Sequence, residues 1–219
     1  VSVATQGEQR PRRADAERNR ARILEAAATV FAGSGIDVPM SEVARQAQVG
    51  IATLMRNFPT REELIEAVFH HAMADYAAAA AAATASPDPW QGFSDFIAYL
   101  CRVQHENRGF NQVLTTMFPA AERLEAQRQA AFRDFVRLIN RAKAAGRLRD
   151  DFSPHDLPLV LLATSGLARP GDEALALGGR RLLGYLLQSF EATNTGPLPP
   201  APEPRELYRA LEHTARPDR

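Results

Sequence analysis

Three groups of residues in this chain have types and spacings that could do chemistry. The first is MSEVARQAQVGIATLMRNF, residues 40–58. Val43, Ala44 and Ala47 put an apolar stripe on one short helix, Val49 plugs a tight turn, and Leu54 and Phe58 put a matching stripe on a second helix. The chemistry would be recognition: such a pair, stapled to its neighbours, leaves the outer face of the second helix, Gly50 to Asn57, free to enter a DNA major groove. The same spacing also fits an ordinary helix pair in an all-α core. The second group is a run of six arginines (Arg10, Arg12, Arg13, Arg18, Arg20 and Arg22) against Asp15 and Glu17, a local surplus of four positive charges. An arginine arm beside a helix pair can reach phosphates or a minor groove, although a merely solvated tail has the same composition. The third comprises metal-ligand types four residues apart, Cys101 with His105 and His71 with Asp75. Each pair can share a helix face, but a site needs the pairs to converge, so no metal is expected. No nucleophile–base–orienter set and no glycine-rich phosphate loop occurs, so neither catalysis nor a cofactor is implied.

Composition narrows the classes further. A chain of 219 residues with 45% hydrophobic content can build one large or two modest domains with a real core. The single cysteine, Cys101, excludes an internal disulfide framework and suits a reducing, cytoplasmic compartment. No apolar run of about 18 residues and no charged-then-apolar leader is found, so the expectation is neither membrane-spanning nor secreted. The formal net charge is +0, so any contact with nucleic acid must come from local charge. Only one of the 26 basic residues, Lys143, is a lysine.

The elements that must position these groups read as helices throughout. Residues 1–13 lack apolar periodicity, and 1–14 are expected to form a disordered basic arm. Ile23, Leu24, Ala27, Val30 and Phe31 predict a helix over 15–33, ended by Gly33 and Gly35. Asp37 and Pro39 open the helix pair. Thr60 and Glu63 predict a capping box for a helix to about Thr84, roughly 36 Å long, able to connect a head to a body. Its seven alanines, Ala77 to Ala83, are strong helix formers. Asp88 and Pro89 predict the start of a helix to about Asn107, apolar almost all round. A short segment, Phe110 to Phe118, a long helix over 119–145, a helix from Ser153-Pro154 to about Ala168, and a last one to about Thr193 follow. A proline-rich stretch begins at Asn194, and Glu203 to His213 can form one more surface helix. The fold class is all-α: a head at 15–62, a larger body at 63–193 and a tail at 194–219.

The blocks ARILEAAATVFAGSGID, MSEVARQAQVG and ATLMRNFPTREELIEAV resemble the TetR family of bacterial transcriptional regulators, whose pattern there is close to IA..AGV…GTLYRHFPSKEELL. The resemblance covers roughly the first 70 positions; beyond about residue 85 it is architectural only. It implies that 40–47 is a positioning helix and 51–57 a recognition helix. Ser41 would lie at the groove edge, and Gly50, Ile51, Ala52 and Thr53 would face bases or the adjacent backbone. Met55 and Asn57 would occupy phosphate-contacting positions, and Arg61 would meet a phosphate at the start of the fourth helix. The chain departs from the family twice. Met55 has no hydroxyl, so one phosphate hydrogen bond is lost, and its side chain can instead pack on a thymine methyl or a sugar. Gln48 replaces the usual turn glycine, where a left-handed backbone would cost roughly 1 kcal/mol.

For the body, the expectation is a ligand cavity between the 89–107, 110–118 and 119–145 segments. Trp90, Phe93, Phe96, Tyr99, Phe110, Met117 and Phe118 would line it, with Cys101, Gln104, His105 and Asn111 as polar groups. The alternative is that many of these aromatics only fill the core. The last two long helices combine leucines with Gly166, Gly178, Gly179 and Gly184 and are the expected dimer face, although an internal hairpin fits as well. Together these features predict a homodimeric repressor in the bacterial cytoplasm, nucleoid-associated, on a pseudo-palindromic double-stranded operator. A small apolar or amphipathic effector would release it, and no membrane is involved. Two other classes stay open: a helical small-molecule-binding protein of the same fold with degenerate DNA reading, motivated by Met55, Gln48 and the neutral net charge, and an all-α metal-dependent enzyme.

Overall fold

The computed structural model describes residues 9–115, 118, 120–165, 167, 173–194 and 196–199. Within them the chain is all-α. The helices are α1 (Gln9–Ser34), α2 (Met40–Gln46), α3 (Ile51–Asn57), α4 (Arg61–Ala85), α5 (Pro89–Glu106), α6 (Arg108–Thr115), α7 (Glu122–Ala144), α8 (Leu157–Ser165) and α9 (Glu173–Phe190). A 3-10 turn, Pro154–Asp156, leads into α8. The only strand-like pairing described is one antiparallel bridge, Leu148 with Glu191.

Local chemistry sets these boundaries. Thr60 Oγ1 accepts the Glu63 amide at 3.2 Å, half of the expected capping box. Asp88 Oδ1 accepts the amides of Trp90 and Gln91 at 2.9 and 3.1 Å, with Pro89 at the first helical position. Ser153 and Asp156 form the one full capping box, each side chain satisfying a backbone N–H of the other's end of the turn.

Several expectations are corrected. Helix α1 begins at Gln9, so residues 9–14 of the expected disordered arm are helical; residues 1–8 lie outside the described set. Helix α6 spans Arg108–Thr115 rather than 110–118. Helices α8 and α9 end at Ser165 and Phe190, earlier than expected. Pro119, Gly166 and the Glu203–His213 helix fall outside the described residues. Helix α5 is not apolar all round: Gln91, Asp95, Arg102 and Glu106 are exposed, an outward stripe at helical spacing.

The head and body share one core. Phe31 of α1 stacks on Phe69 of α4 (ring centroids 6.1 Å), Phe69 lies 6.0 Å from Phe110 of α6, and Phe110 lies 6.5 Å from Tyr76. The ladder continues through Phe96 and Phe135 to Phe93, Phe152 and Phe190. Aromatic pairs at these separations stabilise beyond the area they bury. The ladder therefore runs from the helix that holds the head to the end of α9.

Candidate nucleic-acid interface

The head builds the candidate interface from the inside outward. Val43 and Ala44 of α2, Ala47, and Leu54 and Phe58 at α3 are buried, packing the pair onto α1 and α4. The turn between them carries Gln48 at φ +54°, the left-handed conformation expected from its position. Only glycine adopts that region without steric cost, so Gln48 carries a strain of about 1 kcal/mol. Arg22 of α1 lies against this residue, with Nη2 at 3.3 Å from the Gln48 carbonyl and 3.4 Å from its side-chain oxygen. Arg20, one half-turn earlier, donates to the Asn57 carbonyl at 3.1 Å and sets its guanidinium 4.3 Å from the Phe58 ring centre. Two arginines of the basic run thus brace α3 and the turn before it. Arg18 pairs with Asp15 on its own helix, and the side chains of Arg10, Arg12 and Arg13 lie outside the described residues.

Among the residues carried over from the family, Ser41, Gly50, Ile51, Ala52 and Met55 are exposed on one side of the head. Thr53 and Asn57 are half-buried, and Asn57 donates its Nδ2 to the Thr53 carbonyl at 2.8 Å. Arg61 turns inward: its Nη1 sits 2.6 Å from both the Ile36 and Val38 carbonyls. It braces the α1–α2 loop, because that loop leaves carbonyls without helical partners and the guanidinium is the nearest donor. Arg56 was missed by sequence reasoning. It is exposed on α3 and makes no hydrogen bond or ion pair among the described residues; its position between Met55 and Asn57 in the recognition segment was the available signal. Arg45 of α2 is also exposed, but Glu42 holds it through an Nε–Oε2 bond of 2.9 Å. That hydrogen bond holds the Glu42 carboxyl below its ordinary pKa.

The body places the expected ligand residues in two classes. Phe93, Phe96, Phe110 and Phe118 are buried in the core, and Trp90 stacks on Phe93 at 5.7 Å. These aromatics pack against one another between α5, α6 and α7. Met117 and the His105 side chain lie outside the described residues. A cavity of about 530 Å³ lies between α5, α8 and α9, with Tyr99, Cys101, Arg102, Thr164 and Leu183 in its wall. Tyr99 and Cys101 are the two expected ligand residues that reach it. Burial pushes both their pKa values up. Thr164 sits 3.8 Å from the Cys101 sulfur and 3.4 Å from Gln104 Oε1, and Gln104 donates to the Leu161 carbonyl at 2.8 Å. Asp95, Arg102, Glu106 and Arg180 give the cavity its charged groups. No group of three or more His, Cys, Asp or Glu side chains converges among the described residues. None of the described helices is long and apolar enough to cross a membrane.

Residues 23–68, from α1 through the first turns of α4, match the family model of bacterial regulatory proteins, tetR family. That match covers the head, 46 of the chain's 219 residues, and makes the head similar to those of TetR-family regulators. Solved structures of the same architecture agree. A TetR transcriptional regulator from Streptomyces coelicolor is 28% identical, with a TM-score of 0.50, over 78% of this chain and 98% of that one. A putative fatty acid metabolism regulator from Clostridium perfringens is 22% identical, with a TM-score of 0.55, over 77% of this chain and 98% of that one. The transcriptional regulator FadR from Bacillus subtilis, solved with stearoyl-CoA, is 13% identical with a TM-score of 0.51, over 78% and 98%. The last two similarities concern the fold alone. Comparison with curated proteins finds no match. The chain is all-α with a helix-turn-helix head, and the head's match together with the Streptomyces coelicolor structure supports a transcriptional regulator.

Proposed function

We propose that the protein is a homodimeric repressor that binds a pseudo-palindromic operator and is released by a small molecule. The observation that carries this reading is the outer face of α3, where Ile51, Ala52, Met55 and Arg56 stand exposed on a helix whose inner face is fixed in the head. The dimer is supported by α8 and α9, which expose Leu159, Leu162, Leu177 and Tyr185, with Leu183 the one buried residue on α9. Two such pairs meeting across a two-fold axis would set two recognition helices about 34–36 Å apart, one turn of duplex. The cavity beside Tyr99 and Cys101 is the proposed effector site: its apolar wall and charged rim suit an amphipathic molecule. Release would follow from population shift, the effector favouring a body conformation in which α4 has swung and the heads no longer match the operator. Operator and effector then weaken each other reciprocally.

The test is selection of bound duplexes from a random DNA pool at two salt concentrations, with the dimer state measured by sedimentation. The expected result is an inverted repeat whose affinity falls steeply with salt. A folded dimer that enriches no sequence would overturn the proposal. It would favour a second reading, a small-molecule-binding protein with degenerate DNA reading, which rests on Arg61 and Asn57 being engaged inside the head and on Met55 at a phosphate-contacting position.

A further inference from the structure

The recognition helix has an unusual outward face. Ile51 and Met55, four residues apart, are 47% and 42% exposed and form one stripe. Ala52 and Arg56, also four apart, form the stripe beside it. Helix α3 carries no carboxylate, so it has no acceptor for the cytosine amino group. Its one amide, on Asn57, already donates to the Thr53 carbonyl, which removes the bidentate reading of adenine. Arg56 is the one exposed hydrogen-bonding group left on the helix. Large apolar side chains held half in water at the centre of a reading face need an apolar counterpart. The major-groove edge of DNA offers one such group, the C5-methyl of thymine.

We infer that Ile51 and Met55 read thymine methyl groups, so that each operator half-site carries thymine under the centre of α3 and is specified there by shape and apolar contact. This rests on the operator-binding reading above and deepens it by naming the chemistry of the bases. Arg56 then takes a guanine edge or a phosphate at the flank of the same half-site.

The test begins with the duplex recovered from the random pool. Thymines in it are replaced one position at a time by deoxyuridine, which pairs identically and lacks only the methyl. Burying one methyl is worth about a fourfold change in affinity, so replacement at the two symmetry-related positions should weaken binding about fifteenfold. Replacement outside the half-sites should change little. The double variant Ile51→Ala, Met55→Ala should lose the discrimination between thymine and uracil while keeping its salt-dependent binding to unrelated duplex. Both side chains are exposed, so the variant should fold as the parent does, which circular dichroism checks. A selected operator that binds equally well with uracil at every half-site position overturns the inference and leaves the regulator reading standing. Selection that returns no sequence overturns both.

Discussion

Two contact regions of this molecule use similar residues to opposite ends: the joint where α6 meets α1, and the layer where α9 meets α8. At the joint the packing is closed. A Cβ on Gly109 would lie 2.6 Å from the Phe31 carbonyl oxygen, so only glycine lets the two backbones touch. Gln112 Oε1 accepts the buried Ile36 amide at 2.7 Å, and its Nε2 reaches Asp37 at 3.4 Å. At the layer the packing is unfinished. Among the described residues, Gly184 has nothing within 4 Å of where its Cβ would be, Gly178 and Gly179 meet Leu167 alone, and Leu177 and Tyr185 stand more than half exposed. Helix α9 is held at its C-terminal end, by the Leu148–Glu191 bridge and by Phe190 against Phe152, and along its length it buries Leu183. The difference teaches that the joint finds its complement among the described residues, whereas α9 leaves an open face there, the one proposed above for a dimer.

The contrast can be broken most forcefully at Gly109. Gly109→Ala forces backbone atoms apart and should destabilise the protein by about 2 kcal/mol, read as a lower thermal midpoint. An unchanged midpoint would show that the joint is loose. Gln112→Ala comes next: it leaves the Ile36 amide buried without its partner, at a cost of about 1–2 kcal/mol, measurable by urea unfolding. Gly184→Ala should act in the other direction. With open space to fill and better helix propensity, it should raise protomer stability by about 0.5–1 kcal/mol, while weakening self-association in sedimentation if a second copy packs there. A loss of protomer stability from Gly184→Ala would contradict the open layer. The smallest effect is chemical rather than energetic. Burial raises the Cys101 pKa, so less thiolate is present at neutral pH, and labelling by a maleimide should be slow there and accelerate as the pH rises through the alkaline range. Sign and linkage agree: stability from the protonated thiol is present below the unfolded-state pKa and is lost as pH rises through the folded one.

The legibility of the sequence divided along the same line. The head could be read because its signals are local: apolar spacing fixed α2 and α3, and the turn position of Gln48 predicted its left-handed backbone, just as Asp88-Pro89 fixed the start of α5 in the body. What could not be read depended on distant partners. Arg61 looked like a phosphate ligand until the loop carbonyls of Ile36 and Val38 came within reach of it. Arg20 and Arg22 belonged to a basic run that could reach phosphates, but the folded chain sets Asn57, Phe58 and Gln48 beside them. The aromatic residues of α5 and α6 suit a cavity wall or a core equally by type, and their mutual stacking depends on partners distant in sequence. Tyr99 and Cys101 lie near the outward polar stripe of α5, which explains why they reach the cavity between α5, α8 and α9.

The Ile36–Gln112 bond also bears on how such proteins can be rebuilt. The head boundary suggested by motif falls at residue 62, one residue past the start of α4, as though the reading unit could be lifted out and fused elsewhere. Yet α1 ends on a glycine at φ +84° that is covered by Gln112, and Phe31 stacks on a ring eight residues into α4. A cassette cut at that boundary would leave behind both the ring and the amide's acceptor. Grafts that keep specificity would therefore have to carry α6 along with the reader, and transplanting α3 side chains onto an intact neighbour is the sounder route to a new operator.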